Sequence, residues 1–303
     1  MHRARSALHL GMPHTQAGGL GEVALLAHAG DLRWSAIGAA TGVPASHQRD
    51  AEGRAIYASF YFVELNGFPP RGLGAFGPDD DLEIVSTLVR FGRSMLDGEH
   101  ALYPAGALGA DLPATLPAGP RVRLSNVFVC QGAGPDDLRI TAPENSRVED
   151  IPASPEEPDS YRLIKEARRD GRFFEPPDGA APLWSGGRTV TYPINPDRDV
   201  NGVGLVYFAN YVAFMDFGER QALEASGAYR PAELDGRATL RRRIGFYGNA
   251  RHHDSLTIEV EAWAPRGARD RLLLHHRVRR STDGRLIAVS SAEKTLPAVG
   301  GGS

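Results

Sequence analysis

The residues with chemical potential concentrate in one stretch, Asp199-Val-Asn-Gly-Val-Gly-Leu-Val-Tyr-Phe-Ala-Asn-Tyr211. Gly202 and Gly204 lie in a polar loop that runs into an aromatic-rich helical pattern. Glycine at 204 lets the backbone approach a ligand closely. The helix start leaves N–H groups unpaired, an arrangement suited to a developing oxyanion. Asp199 and Asn201 share the loop, two residues apart. A carboxylate there can serve as a hydrolytic base; an amide can donate a hydrogen bond but can neither take a proton nor attack. The Gly204-Leu205 pair and the similar Gly19-Leu20 turn are expected to supply backbone donors. Asn249, which follows Phe246-Tyr247-Gly248, is expected to add an amide to the substrate site.

These groups need elements to hold them. The chain has 303 residues, 42% hydrophobic and 23% charged, as in a globular protein of one large or two ordinary domains. A net charge of −3 with dispersed basic residues gives no footprint for nucleic acid. The single cysteine, Cys130, excludes an internal disulfide and fits a reducing, cytoplasmic setting. No apolar run approaches the roughly 18–20 residues that span a bilayer, and the basic start leads into no long apolar region. A proline-rich, partly acidic segment, 141–187, separates 1–140 from 188–298 and holds one helical pattern near Ser160–Arg169; the glycine-rich tail 299–303 is set apart.

The parts on either side of that linker read alike. A helical pattern follows Gly19-Leu20 in the first and Gly204-Leu205 in the second. Alternating strand patterns follow at 81–90 and 254–263, and a further pair, 272–280 and 286–294, flanks the turn Thr282-Asp-Gly284. The segment 122–130 is the expected equivalent of 286–294. Tyr207, Tyr211, Phe214, Met215, Gly218 and Ala222 form one apolar helical face, and Gly227 is its expected terminator. Each part is therefore a helix laid on an antiparallel sheet, an α+β arrangement.

The loop spacing resembles the acyl-thioester hot-dog signature D-x-x-G-x-x-x-x-x-N-Y, with Gly204, Asn210 and Tyr211 in register and Asn201 in the place of the acid. Two such halves point to a tandem (double) hot-dog fold. Further motifs resemble a narrow group, the double-hot-dog proteins of polyketide pathways related to the leinamycin-pathway bifunctional acyltransferase/decarboxylase. They are Gly11-Met-Pro-His14, Gly18-Gly19-Leu20, Tyr57-Ala-Ser-Phe60 and Leu124-Ser-Asn-Val-Phe-Val129 in the first half. In the second they are Asn195-Pro196, Asp199-Val-Asn-Gly202, Gly204-Leu-Val-Tyr-Phe-Ala209, Glu219-Arg220 and Phe246-Tyr-Gly-Asn249. The segment Asn66–Gly74 departs from the group as a local insertion or a rebuilt loop.

The resemblance implies self-acylation from methylmalonyl-CoA, decarboxylation, and transfer of propionyl to the phosphopantetheine of an acyl carrier protein, with no further cofactor or metal. It also implies a tyrosine as the acyl-bearing residue, which the motif places at Tyr57, with Tyr61 as competitor. A phenol with a free pKa near 10 needs a base, a cation or hydrogen bonds to attack at neutral pH, and His14 is the candidate helper. Asn201 spares the substrate carboxylate a repulsion of roughly 4 kcal/mol at 4 Å and an effective dielectric of 20. The competing readings are a thioesterase with Asp199 as base and a non-catalytic scaffold that holds an acyl carrier. Arg241-Arg-Arg243 reads as a solvated charge run, His252-His253 and His275-His276 lack the spacing of a zinc site, and Cys130 reads as buried and inert. A homodimer is expected, because hot-dog sheets commonly pair edge to edge.

Overall fold

The computed structural model describes residues 2–112, 115–132, 138–266 and 270–297; the tail 299–303 lies outside them. Five strands come from the first part of the chain: β1 (His2–His9), β2 (Ile56–Asn66), β3 (Asp81–Phe91), β4 (Met95–Pro104) and β5 (Arg121–Gln131). Five follow in the second: β6 (Arg188–Pro193), β7 (Ala238–Phe246), β8 (Ser255–Pro265), β9 (Arg271–Arg280) and β10 (Leu286–Thr295). They form one antiparallel sheet in the order β1-β3-β4-β5-β2-β7-β10-β9-β8-β6, with short strands Leu138–Ile140 on β5 and Ala180–Pro182 on β8. Outward from the β2–β7 seam, both sides run through the same succession: second strand of the half, fifth, fourth, third, first. The fold is a tandem hot-dog. The pairing of 122–130 with 286–294 as equivalents holds, since both flank a seam strand.

Three longer helices complete the frame: α1 (Glu22–Thr41), α2 (Asp159–Asp170) and α3 (Asn210–Ser226). α1 buries Leu25, Leu26 and Ala29, and α3 buries Tyr211, Phe214, Met215 and Leu223, in one shared core on the sheet. Both end where the sequence changes backbone hand, at Gly42 and Gly227 (φ 73° and 69°). α2 lies over the seam, where Tyr61 meets Ser160 (3.1 Å) and the Tyr247 hydroxyl donates to the Ile164 carbonyl (2.8 Å). No described helix is long and apolar enough to cross a membrane.

The seam itself is short. Arg242–Gly245 of β7 pair with Phe62–Leu65 of β2. The edge-to-edge pairing behind the homodimer expectation is thus made inside one chain. The arginine run is a correction: an interior strand turns alternate side chains inward, and Arg242 is fully buried rather than solvated. Its Nε lies 2.7 Å from Glu22 Oε1 and its Nη2 2.9 Å from Asp216 Oδ1. Lys294 closes the cluster at 2.6 Å from both Asp216 and Glu219. Arg241 pairs with Glu293, and Arg243 with Glu64.

Candidate functional site

Beyond Phe62, β2 continues back to Ile56, while β7 ends at Phe246 and leaves through Tyr247-Gly248-Asn249. The strands part there, and a cavity of about 690 Å³ lies between them. Its walls are Ile56–Tyr61 of β2, Gly30, Asp31 and Trp34 of α1, the loop ahead of α3 and the end of β7. Successive strand residues point to opposite faces, so a cavity lined by six in a row follows the open edge of β2. The register slips between Phe60 and Phe62, which bulges the strand at this point. Phe60 stacks on Phe208 at 3.9 Å, so the two halves share a wall. The mouth carries Arg285 and two exposed apolar residues, Ile140 (68%) and Val203 (47%).

The ionisable groups on this wall are Asp31, Arg285 and five tyrosines, 57, 61, 207, 211 and 247; no described lining residue is a histidine, cysteine or lysine. The Tyr57 hydroxyl is buried and has no hydrogen-bond partner in the protein. Burial pushes its pKa up to about 12, with Cys130 adding to the effect, so at neutral pH it is a protonated donor. Tyr61 differs: its hydroxyl joins a buried network with Ser160 and Ser125 that anchors α2. Of the two tyrosines, Tyr57 has the free hydroxyl. Tyr207 also stays protonated, through burial first and the nearby Asp31 second.

The loop Asp199–Phe208 is held mainly by its own residues. Asn201 Oδ1 accepts from the N–H of Val203 (3.1 Å) and Leu205 (3.2 Å), and its carbonyl accepts from the N–H of Gly204 (2.9 Å). The amide side chain therefore closes a tight turn. The Gly204 and Leu205 N–H groups are consumed in that turn, so they are not the oxyanion donors expected from the sequence. Gly204 is not on the cavity wall; its requirement for glycine comes from φ 79°, and a Cβ there would meet open space. Asn201 and Leu205 do line the cavity. Asn249 lines it too, and its Oδ1 accepts from Val206 N (3.1 Å) and Ala250 N (2.7 Å), which ties the loop to the end of β7.

Asp199, whose direction the sequence left open, turns away from the cavity and is buried. Its Oδ2 accepts from the Tyr192 hydroxyl and Asn195 N, each at 2.9 Å, and its Oδ1 from Arg198 Nε at 2.8 Å. Burial alone would raise its pKa; bonds from Arg198, Asn195 and Tyr192 outweigh that and hold it below the usual carboxylate value. Asp199 is an ionised brace for the loop.

His14, Gly19 and Leu20 do not join the cavity. His14 Nδ1 accepts from Gly11 N (3.1 Å), and its carbonyl accepts from Gly21 N (2.8 Å), so it shapes the turn before α1 and does not reach Tyr57. A Cβ at Gly18 would collide with the Arg237 carbonyl, and one at Gly19 would fall 2.6 Å from the Leu73 carbonyl. Leu20 is fully buried in the core. By the repeat, this packed junction of the α1 start with β7 corresponds to the open junction of the α3 start with β2. It is filled by the turn at Gly72–Ala75, which overlaps the segment 66–74, and by the ion pairs of Glu22. One junction is solid and the other hollow.

Sequence reasoning missed Asp31 and Arg285, which carry no motif, and assigned Tyr207 and Tyr211 to packing alone. A shallow depression beside the end of α1, around Gly38 and Pro44, has no titratable lining residue.

No protein-family model and no curated protein sequence matches the chain. Similar solved structures are a putative oleoyl thioesterase from Lactobacillus plantarum (12% identity, TM-score 0.64, 98% of each chain) and the 12:0-ACP thioesterase from Umbellularia californica (8%, TM-score 0.59, 97% of this chain and 94% of that one). An acyl-ACP thioesterase from Bacteroides thetaiotaomicron is also similar (9%, TM-score 0.57, 96% of this chain and 97% of that one). At these identities the likeness is one of fold, and it spans the whole tandem hot-dog.

Proposed function

We propose that this protein is an enzyme acting on acyl thioesters of CoA or an acyl carrier protein, and that it decarboxylates and transfers a malonyl-type acyl group rather than hydrolysing it. The observation that carries this reading is the wall around Tyr57: this lining residue has a neutral phenol without a protein partner, while the loop carboxylate Asp199 is off the wall and engaged. The thioester substrate class draws support from the names of the fold neighbours.

Loss of CO2 from a malonyl thioester puts charge on the thioester oxygen, and each well-placed donor there is worth roughly 3–4 kcal/mol. Tyr57, held protonated, is such a donor, and the proton that the enolate carbon takes up comes from water. Phe60, Phe208, Val127 and Val129 give the wall an apolar character that disfavours the substrate carboxylate and not the departing CO2. Transfer through Tyr57 forms its aryl ester as the thioester C–S bond breaks. With no imidazole among the described lining residues, the phenol proton passes to the departing CoA sulfur; attack by the carrier thiol, whose proton returns to the phenolate, then reverses the exchange. Methylmalonyl as the acyl group rests on the sequence resemblance.

The test is incubation with methylmalonyl-CoA and a carrier protein, followed by intact-mass measurement. Propionyl-carrier is the expected product; unchanged carrier, or carrier bearing methylmalonyl, sinks the decarboxylation. Tyr57→Phe should keep the melting temperature within about 2 °C, because no protein hydrogen bond is lost, and should form no acyl adduct. Hydrolysis is the second reading, favoured by the thioesterase names of the fold neighbours, with Asp31 as the carboxylate on the wall. Release of free thiol and acid without carrier acylation would select it.

A further inference from the structure

The Tyr57 hydroxyl is not the only donor that the cavity leaves unpaired. Tyr211, in the first turn of α3, lines the same cavity, and its side chain is almost wholly buried. Its ring packs on Phe246 (5.1 Å between centroids) and Phe214 (5.6 Å). The Tyr211 hydroxyl has no hydrogen-bond partner in the protein. A buried donor without an acceptor is destabilising, and a phenylalanine would fill the same aromatic site without that cost. Burial pushes its pKa up, against a smaller opposing effect of Arg280, so the group stays a donor. Elsewhere the chain satisfies buried phenols: Tyr61 has Ser160, Tyr192 has Asp199, Tyr103 has the Pro117 carbonyl.

We infer that Tyr211 is a substrate-contacting residue whose hydroxyl donates to the carbonyl oxygen of the bound acyl group. The inference rests on the thioester reading above and assigns the orientation of that substrate. The residues that line the cavity run from exposed to fully buried. Its mouth is marked by exposed Ile140 and Val203 with Arg285, which suits the phosphate-bearing end of a pantetheine arm. Tyr211 lies among the most buried residues of the lining, where only the leading end of a ligand arrives. The leading end of an acyl-pantetheine is the acyl thioester, and its first acceptor is the carbonyl oxygen. The loop N–H groups at Gly204 and Leu205 are already bonded to Asn201, so they do not compete for that oxygen.

The experiment is a comparison of two CoA derivatives on wild type and Tyr211→Phe by calorimetric titration: a ketone analogue of propionyl-CoA with sulfur replaced by methylene, and S-propyl-CoA, which lacks the carbonyl. Tyr211→Phe should weaken the ketone analogue by about 5–10-fold, the equivalent of one neutral hydrogen bond, and leave S-propyl-CoA unchanged. Its melting temperature should stay level or rise by about 1–3 °C. Tyr103→Phe, which removes a satisfied phenol away from the cavity, should fall in melting temperature and keep both affinities. Equal losses for the two ligands, no loss for either, or a fall in melting temperature like that of Tyr103→Phe would overturn the inference. If wild type binds neither derivative, the thioester reading itself fails and the role of Tyr211 fails with it; that outcome is separate from a variant that binds like wild type.

Discussion

Asp199→Asn separates a brace from a base. The carboxylate accepts three bonds, two at Oδ2 and one at Oδ1. An amide keeps one acceptor oxygen; if that oxygen stays with Tyr192 and Asn195, its NH2 group faces Arg198 Nε and one charged bond is lost. Such a bond is worth roughly 1.5–3 kcal/mol when shielded. The Arg198 side chain is 65% exposed and free to swing into water, so screening cuts the loss to about 1 kcal/mol, or about 2 °C in a chain of this size. The pH dependence carries a sign. Asp199 is held below its ordinary pKa by folding, so its contribution is full above the unfolded value near 3.9 and is lost as pH falls through the lower folded value. The gap in melting temperature between wild type and Asp199→Asn should therefore be widest at pH 5–7 and shrink below about pH 4. Thermal unfolding at pH 7, 5, 4 and 3, alongside thiol release at pH 7, measures both. An unchanged melting temperature at pH 7 with release of thiol abolished would refute the brace and restore Asp199 as a hydrolytic base.

Other consequences are as direct. Arg242→Met leaves Glu22 and Glu219 buried beside a lost guanidinium, and breaking a buried pair from one side costs roughly 3–5 kcal/mol; the denaturant midpoint should fall accordingly, and Glu22→Gln in the same chain should recover part of it. Gly204→Ala introduces a side chain at φ 79° with open space around it, so a loss of about 1 kcal/mol from backbone strain is expected. Its affinity for acyl-CoA analogues should change less than about threefold; a larger loss at intact stability would mean that the ligand touches this glycine.

What the sequence made legible was local. The apolar face of α3 repeats at helical spacing, the turn Thr282–Gly284 punctuates two alternating runs, and Gly227 supplies the left-handed stop, so these elements follow from short-range patterns. The seam does not: Glu64 and Arg243 meet across 179 residues, and no local pattern reports such a pairing. The arginine run is illegible for that reason, since a run of charges looks solvated until its strand is known to lie inside a sheet. Asn201 and Asn249 were placed near the cavity by motif, yet their oxygens are spent on backbone N–H groups, a use that side-chain identity alone does not reveal. Tyr211 was assigned to packing because helical periodicity registers where a ring points and is blind to whether its hydroxyl finds a partner.

The covalent join of the two halves has a consequence for how the protein can change. Identical subunits related by a two-fold axis must suffer every substitution twice, once at each helix start. In this chain Gly18 meets Arg237 and Gly72 meets Thr239 at one junction, whereas Tyr57 and Tyr211 line the hollow at the other. Tightening the first leaves the second untouched. Robustness and reactivity are thereby assigned to separate addresses in one gene, and a redesign that enlarges or reshapes the hollow can draw its compensating stability from the solid junction.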